Sequence, residues 1–205
     1  ECDAFITEAT FGLPVYQWDP GHEIAREIYD WWQSDKERPT LLFCYSLGKS
    51  QRMLAELAKL TDQHAYLHGA VTKPTEIYRV QGIRMIPTTP VSKAQEGYGF
   101  KGDLIIAPPS AHRSLWMKRF KSPQTGFASG WMQVRGTRRR GGYERGFPLS
   151  DHADWPGLIK TIRETKAKRV YVTHGDAEVL SRYLNEELGI EAHPLRTLYE
   201  GEEGG

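Results

Sequence analysis

Short apolar runs alternate along this chain with stretches of helical periodicity, and that alternation restricts it to an α/β architecture. Residues 2–7 read as a strand, and Thr40-Leu41-Leu42-Phe43-Cys44-Tyr45, Asp103-Leu104-Ile105-Ile106-Ala107, residues 125–129 and Arg169-Val170-Tyr171-Val172-Thr173 as further ones. His64 to Leu67 is a possible short strand. Between them, Ile24, Ile28, Trp31 and Trp32 follow Asp19-Pro20 at helical spacing, which predicts an N-cap with proline at the first helical position. Met53, Leu54, Leu57 and Leu60 share one face of a second helix, and two more are expected over about 154–165 and 177–188. From about 72 to 102 the pattern weakens among Pro74, Pro87, Pro90, Gly97, Gly99 and Gly102. Residues 135–146 read as a Gly/Arg loop and 200–205 as a frayed acidic tail.

Composition sets the outer bounds. A chain of 205 residues allows one or two domains, and 39% hydrophobic with 26% charged residues is a soluble globular balance. Lys plus Arg (27) nearly equals Asp plus Glu (26), so net charge alone names no polyanionic partner. No apolar run approaches the roughly 20 residues that span a bilayer. Cys2 and Cys44 cannot make a disulfide framework and suit a reducing cytoplasm. The chain opens on Glu1-Cys2-Asp3, already inside a strand-like run and without methionine, so it is expected to be the C-terminal part of a longer protein.

Several residues could carry chemistry. Gly48-Lys49-Ser50 lies between a strand and a helix like the end of a phosphate-cradling P-loop, but that motif needs a glycine five positions before Gly48, and Phe43 stands there. A strand–turn–helix corner is the plain reading, with Lys49 and the helix N-terminus touching a nucleic-acid phosphate as the alternative. His174, in Val172-Thr173-His174-Gly175-Asp176, ends a buried strand at the sheet edge where ligands gather. His152, in Leu149-Ser150-Asp151-His152-Ala153-Asp154, sits on a polar turn before a helix. Either histidine could be structural or functional. Glu8 ends the first strand and either caps the next turn or meets a histidine, in which case it would fix the imidazole tautomer. A Glu8–His152 hydrogen bond is the expectation. His22, His64, His68, His112 and His193 show no metal-ligand spacing. Finally, Arg113, Lys118, Arg119, Lys121, Arg135, Arg138, Arg139, Arg140 and Arg145 face a lone acid, Glu144, with Trp116, Phe120, Phe127, Trp131 and Tyr143 interleaved. That mixture suits phosphate contact with base stacking, against the alternative of a solvated face over core aromatics.

Three signatures in order resemble the β-CASP branch of the metallo-β-lactamase superfamily, a group of nucleic-acid hydrolases. Ile6-Thr7-Glu8-Ala9-Thr10-Phe11-Gly12 is similar to its motif A, Leu149-Ser150-Asp151-His152-Ala153-Asp154 to motif B, and Thr173-His174-Gly175-Asp176 to motif C in its histidine form. Tyr45-Ser46-Leu47-Gly48-Lys49-Ser50-Gln51 resembles the start of the β-CASP insertion, and Ser129-Gly130-Trp131-Met132 its exit. Within that branch, Phe11-Gly12-Leu13-Pro14-Val15-Tyr16 and the Arg-rich 135–146 loop resemble the bacterial DNA-ligase-associated exonucleases.

The resemblance implies the C-terminal half of a metallo-β-lactamase sandwich over 1–14 and 128–205, with an α/β β-CASP domain over 15–127. It implies a DNA exonuclease of DNA repair, in which two divalent metals, zinc or manganese, hold a hydroxide that attacks phosphorus. His174 would bind a metal, His152 would be the general acid and Glu8 would orient it. Arg135, Arg138, Arg139, Arg140, Arg145 and Lys49 would contact nucleic acid. DNA is the implied partner, with a DNA ligase and a helicase in the same pathway; RNA processing and a non-catalytic binding module are the rival readings. The family's HxHxDH metal motif, a further histidine and a bridging aspartate do not occur in this chain, so a complete dinuclear centre is not expected from it.

Overall fold

A computed structural model describes residues 1–134 and 142–195. The chain divides into two compact units, one of Glu1–Gln17 with His152–Gly205 and one of Trp18–Asp151. Both are α/β with all-parallel sheets, the expected fold class.

The first unit contains β1 (Ala4–Ala9), α4 (Trp155–Thr165), β8 (Arg169–Gly175), α5 (Ala177–Leu188) and β9 (Glu191–Pro194), with strand order β1-β8-β9. Leu158 and Ile162 of α4 and Leu180 and Leu184 of α5 recur at helical spacing and pack with Val170 and Val172 of β8. The Asp154 side chain accepts from Gly157 N at 2.9 Å and so caps α4. Edge strand β9 is clamped by Asn185, whose amide donates to Ala192 O (2.8 Å) and accepts from Ala192 N (3.0 Å).

In the second unit the described elements are α1 (Gly21–Gln33), β2 (Thr40–Phe43), α2 (Lys49–Leu57), β3 (Ala65–Leu67), α3 (Gly69–Val80), β4 (Thr88–Pro90), β5 (Leu104–Ala107), β6 (Gln124–Ala128) and β7 (Arg145–Phe147). Six strands run in the order β4-β3-β5-β2-β6-β7. Every residue of β2 and β5 is buried because each sheet face is covered. Leu42, Leu104 and Ile106 pack under α1 and α2 with Ile28, Trp32, Met53 and Leu54. Leu41, Phe43 and Ile105 point the other way, onto Val91, Phe100, Ala111 and Phe120. Ala128 and Arg145–Phe147, grouped by the sequence reading with the first unit, lie in β6 and β7, which pair with each other in this sheet.

Three local expectations change. Pro20, not Asp19, occupies the N-cap position of α1, and no side chain caps that helix. The stretch from 72 contains α3 with Pro74 inside it, followed by β4. β9 follows α5, where no strand was expected.

Gly126 of β6 lies under the Trp31 ring, so close that an added Cβ would come within 2.7 Å of that ring and 3.0 Å of Phe147. Gly126→Val is expected to cost about 1–3 kcal/mol through overpacking. Chemical denaturation checks this, and an unchanged midpoint would mean the Trp31–Phe147 layer yields more readily than its packing indicates.

Candidate active site

Parallel pairing of β1 and β8 brings the C-terminal ends of both strands to one edge of the first unit. The register runs from Ala4↔Arg169 to Glu8↔Thr173 and then shifts, so that Ala9 faces Gly175. His174 is therefore the extra residue of a bulge. Its backbone is left-handed (φ 57), a conformation that costs a non-glycine residue free energy and commonly marks a side chain aimed for use. Thr173 Oγ1 lies 3.0 Å from His174 Nδ1. Gly175 follows, also left-handed (φ 62), and packs so tightly on β1 that an added Cβ would lie 2.3 Å from Ala9 O. That carbonyl accepts from Gly12 N (2.9 Å) and Asp176 N (3.1 Å), tying the turns after both strands together.

The neighbouring acid is Glu8. Its Oε2 accepts from Thr10 N at 2.6 Å and its Oε1 lies 3.2 Å from His152 Nδ1. An ionised carboxylate only accepts, so Nδ1 carries the hydrogen of that bond, which fixes the tautomer. Burial pushes the Glu8 carboxyl up, but the bonds from Thr10 and from His152 outweigh it and hold the group below its ordinary 4.5. Phe11, buried after β1, meets the His152 ring edge-to-face with centroids 5.8 Å apart. The side chains of His152 and Glu8 are 45% and 35% exposed, so the pair is braced yet open to a substrate.

Stability linked to a lowered carboxyl is present above its ordinary pKa and is lost as pH falls through its folded value. Thermal melts of wild type and Glu8→Gln below pH 4.5 are therefore expected to diverge, with the shallower acid loss in the variant. Parallel curves would remove Glu8 from the acid response.

The expected nucleic-acid contacts fall elsewhere. Arg135, Arg138, Arg139 and Arg140 lie outside the described residues. Arg145, in β7 of the second unit, is exposed, with its guanidinium 5.3 Å from the Phe147 ring centre. Lys49 stands at the expected strand–turn–helix corner, but it is only 3% exposed, its Nζ is 3.1 Å from Asp151 Oδ1, and it lies 4.7 Å over the Tyr45 ring. Its ammonium already holds a carboxylate. Thr10, Phe11 and Gly175 were missed as supports of the site; only Gly175, a glycine directly after a strand-end histidine, carried a readable signal.

Among the described residues no three His, Cys, Asp or Glu side chains are grouped to hold a metal ion. His174 offers a single imidazole, so these residues alone do not fit a metal centre. None of the described helices is long and apolar enough to cross a membrane.

Residues 146–194 match the family described as the Zn-dependent metallo-hydrolase RNA specificity domain. Over 190 residues the chain is 32% identical to a probable DNA ligase of Opitutus terrae, a stretch that covers 91% of this chain and 18% of that protein. The chain thus spans under a fifth of that relative's length. Those matches, with the Glu8, His152 and His174 signatures in order along one chain, are consistent with a fragment of the β-CASP/metallo-β-lactamase superfamily.

Proposed function

We propose that the complete protein is a metal-dependent DNA exonuclease of DNA repair, working in the reducing cytoplasm alongside a DNA ligase and a helicase. The observation that carries this reading is the Glu8–His152 pair, 3.2 Å apart and backed by the Thr10 amide and Phe11. With Nδ1–H committed to Glu8, Nε2 is the ring position from which a proton can pass to the leaving oxygen of a cleaved phosphodiester. Glu8 orients the ring. His174 would serve as one ligand of the two divalent ions, zinc or manganese, with the remaining ligands drawn from outside the described residues. Arg145 and the arginines at 135 and 138–140 would balance phosphate charge without reading bases. The relative's printed name, a DNA ligase, favours DNA as substrate. A ribonuclease is the second reading, because the matched family's description names RNA specificity.

Incubating the complete protein with metal and with DNA and RNA strands of one sequence decides between them. The expected result is stepwise shortening of DNA from an end, with RNA left intact. Cleavage of RNA alone would make it the ribonuclease, and cleavage of neither would overturn the hydrolase reading.

A further inference from the structure

The six-stranded sheet of the second unit carries a crevice that the residues of motifs A, B and C do not use. Its strand order is β4-β3-β5-β2-β6-β7, so the chain leaves β2 toward β3 on one side and leaves its neighbour β6 toward β7 on the other. Neighbouring parallel strands whose connections part in this way open a crevice beyond their carboxyl ends, and ligands of α/β sheets bind in such crevices. β2 and β6 are adjacent, in register from Thr40↔Gln124 to Phe43↔Phe127.

The residues around that crevice are aromatic and basic. Tyr45, two positions beyond β2, is 43% exposed, with the Lys49 ammonium 4.7 Å from its ring centre. His112, beyond β5, stacks on Tyr143 with centroids 4.1 Å apart and planes 26° apart, and Tyr143 in turn stacks on Phe127 at 5.0 Å and 28°. Burial, then the neighbouring Arg113, pushes the His112 pKa down, so its ring is neutral at pH 7 and suited to stacking. Phe43, two residues before Tyr45, meets the rings of both His112 (5.1 Å) and Tyr143 (5.5 Å), which brings the end of β2 into the same neighbourhood, and burial raises the Tyr143 phenol. Arg113 is exposed and left-handed (φ 58), a strained conformation for this residue, and its guanidinium lies where a Cβ on Gly142 would be, 2.0 Å from that position. Among the described residues no carboxylate pairs with Arg113.

We infer that this crevice binds one nucleotide of a single strand, with its base on the Tyr45 ring beside the His112–Tyr143 stack and its phosphate on Arg113. The chemistry fits: a π-face accepts any base, while an unpaired guanidinium grips phosphate through parallel hydrogen bonds. The inference rests on the nucleic-acid reading above and gives that reading a second point of grip.

The test is anisotropy binding of a fluorescent oligothymidine DNA to the complete protein, with chelator present so that binding is read without cleavage. Tyr45→Ala is expected to weaken binding about 5- to 100-fold, and Tyr45→Phe to restore it. Arg113→Gln should flatten the log–log salt slope by about 0.7, the share of one phosphate contact on a single strand. Lys160→Gln, an exposed cation on α4, should change neither. Melting curves confirm that the variants are folded. Wild-type binding with Tyr45→Ala and Arg113→Gln both unchanged overturns the crevice and leaves the hydrolase reading intact. Cleavage of DNA without measurable oligothymidine binding also overturns the crevice, whereas loss of both cleavage and binding overturns the nucleic-acid reading on which it rests.

Discussion

His152→Ala in the complete protein is expected to lower the single-turnover rate of DNA cleavage by about 10²–10⁴-fold, the usual contribution of a positioned proton donor. Metal content should stay at the wild-type level, because His152 Nδ1 is engaged with Glu8 and the ring is packed against Phe11. His174→Ala should do the reverse in metal analysis and lose bound metal. The two histidines sit differently: His152 is on the turn that precedes the capped α4, and His174 is thrust from a bulge at the end of β8. Glu8→Gln keeps the size of the acid but removes the charge that fixes the tautomer, so its rate should fall between those of wild type and His152→Ala. Equal loss of metal in both histidine variants would mean that their roles are misassigned.

Gly175→Ala is expected to destabilise the protein by at least about 3 kcal/mol, lowering Tm by roughly 6–12 °C for a chain of this size. The added Cβ would meet only backbone: Ala9 O at 2.3 Å, Thr10 Cα at 2.6 Å and Ala9 C at 2.7 Å. Backbone cannot swing aside as a flexible side chain would, so β1 and β8 must part where Glu8 and His174 are held. Gly189→Ala is the control. Gly189 has almost the same left-handed φ (63), yet nothing lies within 4 Å of its Cβ position. That substitution carries only the conformational cost, about 1–2 kcal/mol. Equal melting points for the two variants would show that contact with Ala9 contributes nothing.

The central strands and the helices with full apolar faces were legible because burial on both sides writes itself into composition. β2 and β5 read as continuous apolar runs, and α5 begins and ends where its spacing places it. The elements that escaped notice lie at the margins. β4 and β9 are edge strands of three and four residues, each containing a proline, which an edge tolerates and a central strand does not. α3 buries only Val71 and Thr75 and carries Pro74 inside, so its apolar stripe is thin and its strongest local signal is that of a breaker.

In the candidate site the residue types were readable, while their geometry came from pairing between distant segments. Glu8 and His152 could be matched through their motifs. The bulge that turns His174 into the left-handed region depends on the β1–β8 register, which no local pattern encodes. Lys49 shows the same limit in reverse. Its neighbours suggest a phosphate-facing corner, but its ammonium is paired with Asp151, far along the chain.

The role of His152 as proton donor can be tested directly by comparing two leaving groups. The complete protein and its His152→Ala variant would be assayed on an oligodeoxynucleotide, whose alkoxide leaving group needs a proton, and on a p-nitrophenyl phosphodiester, whose phenolate does not. The account predicts that the variant loses about 10²–10⁴-fold on the oligonucleotide and less than about tenfold on the nitrophenyl ester. Equal losses on both substrates would contradict it, because His152 would then act in some step other than protonating the leaving oxygen.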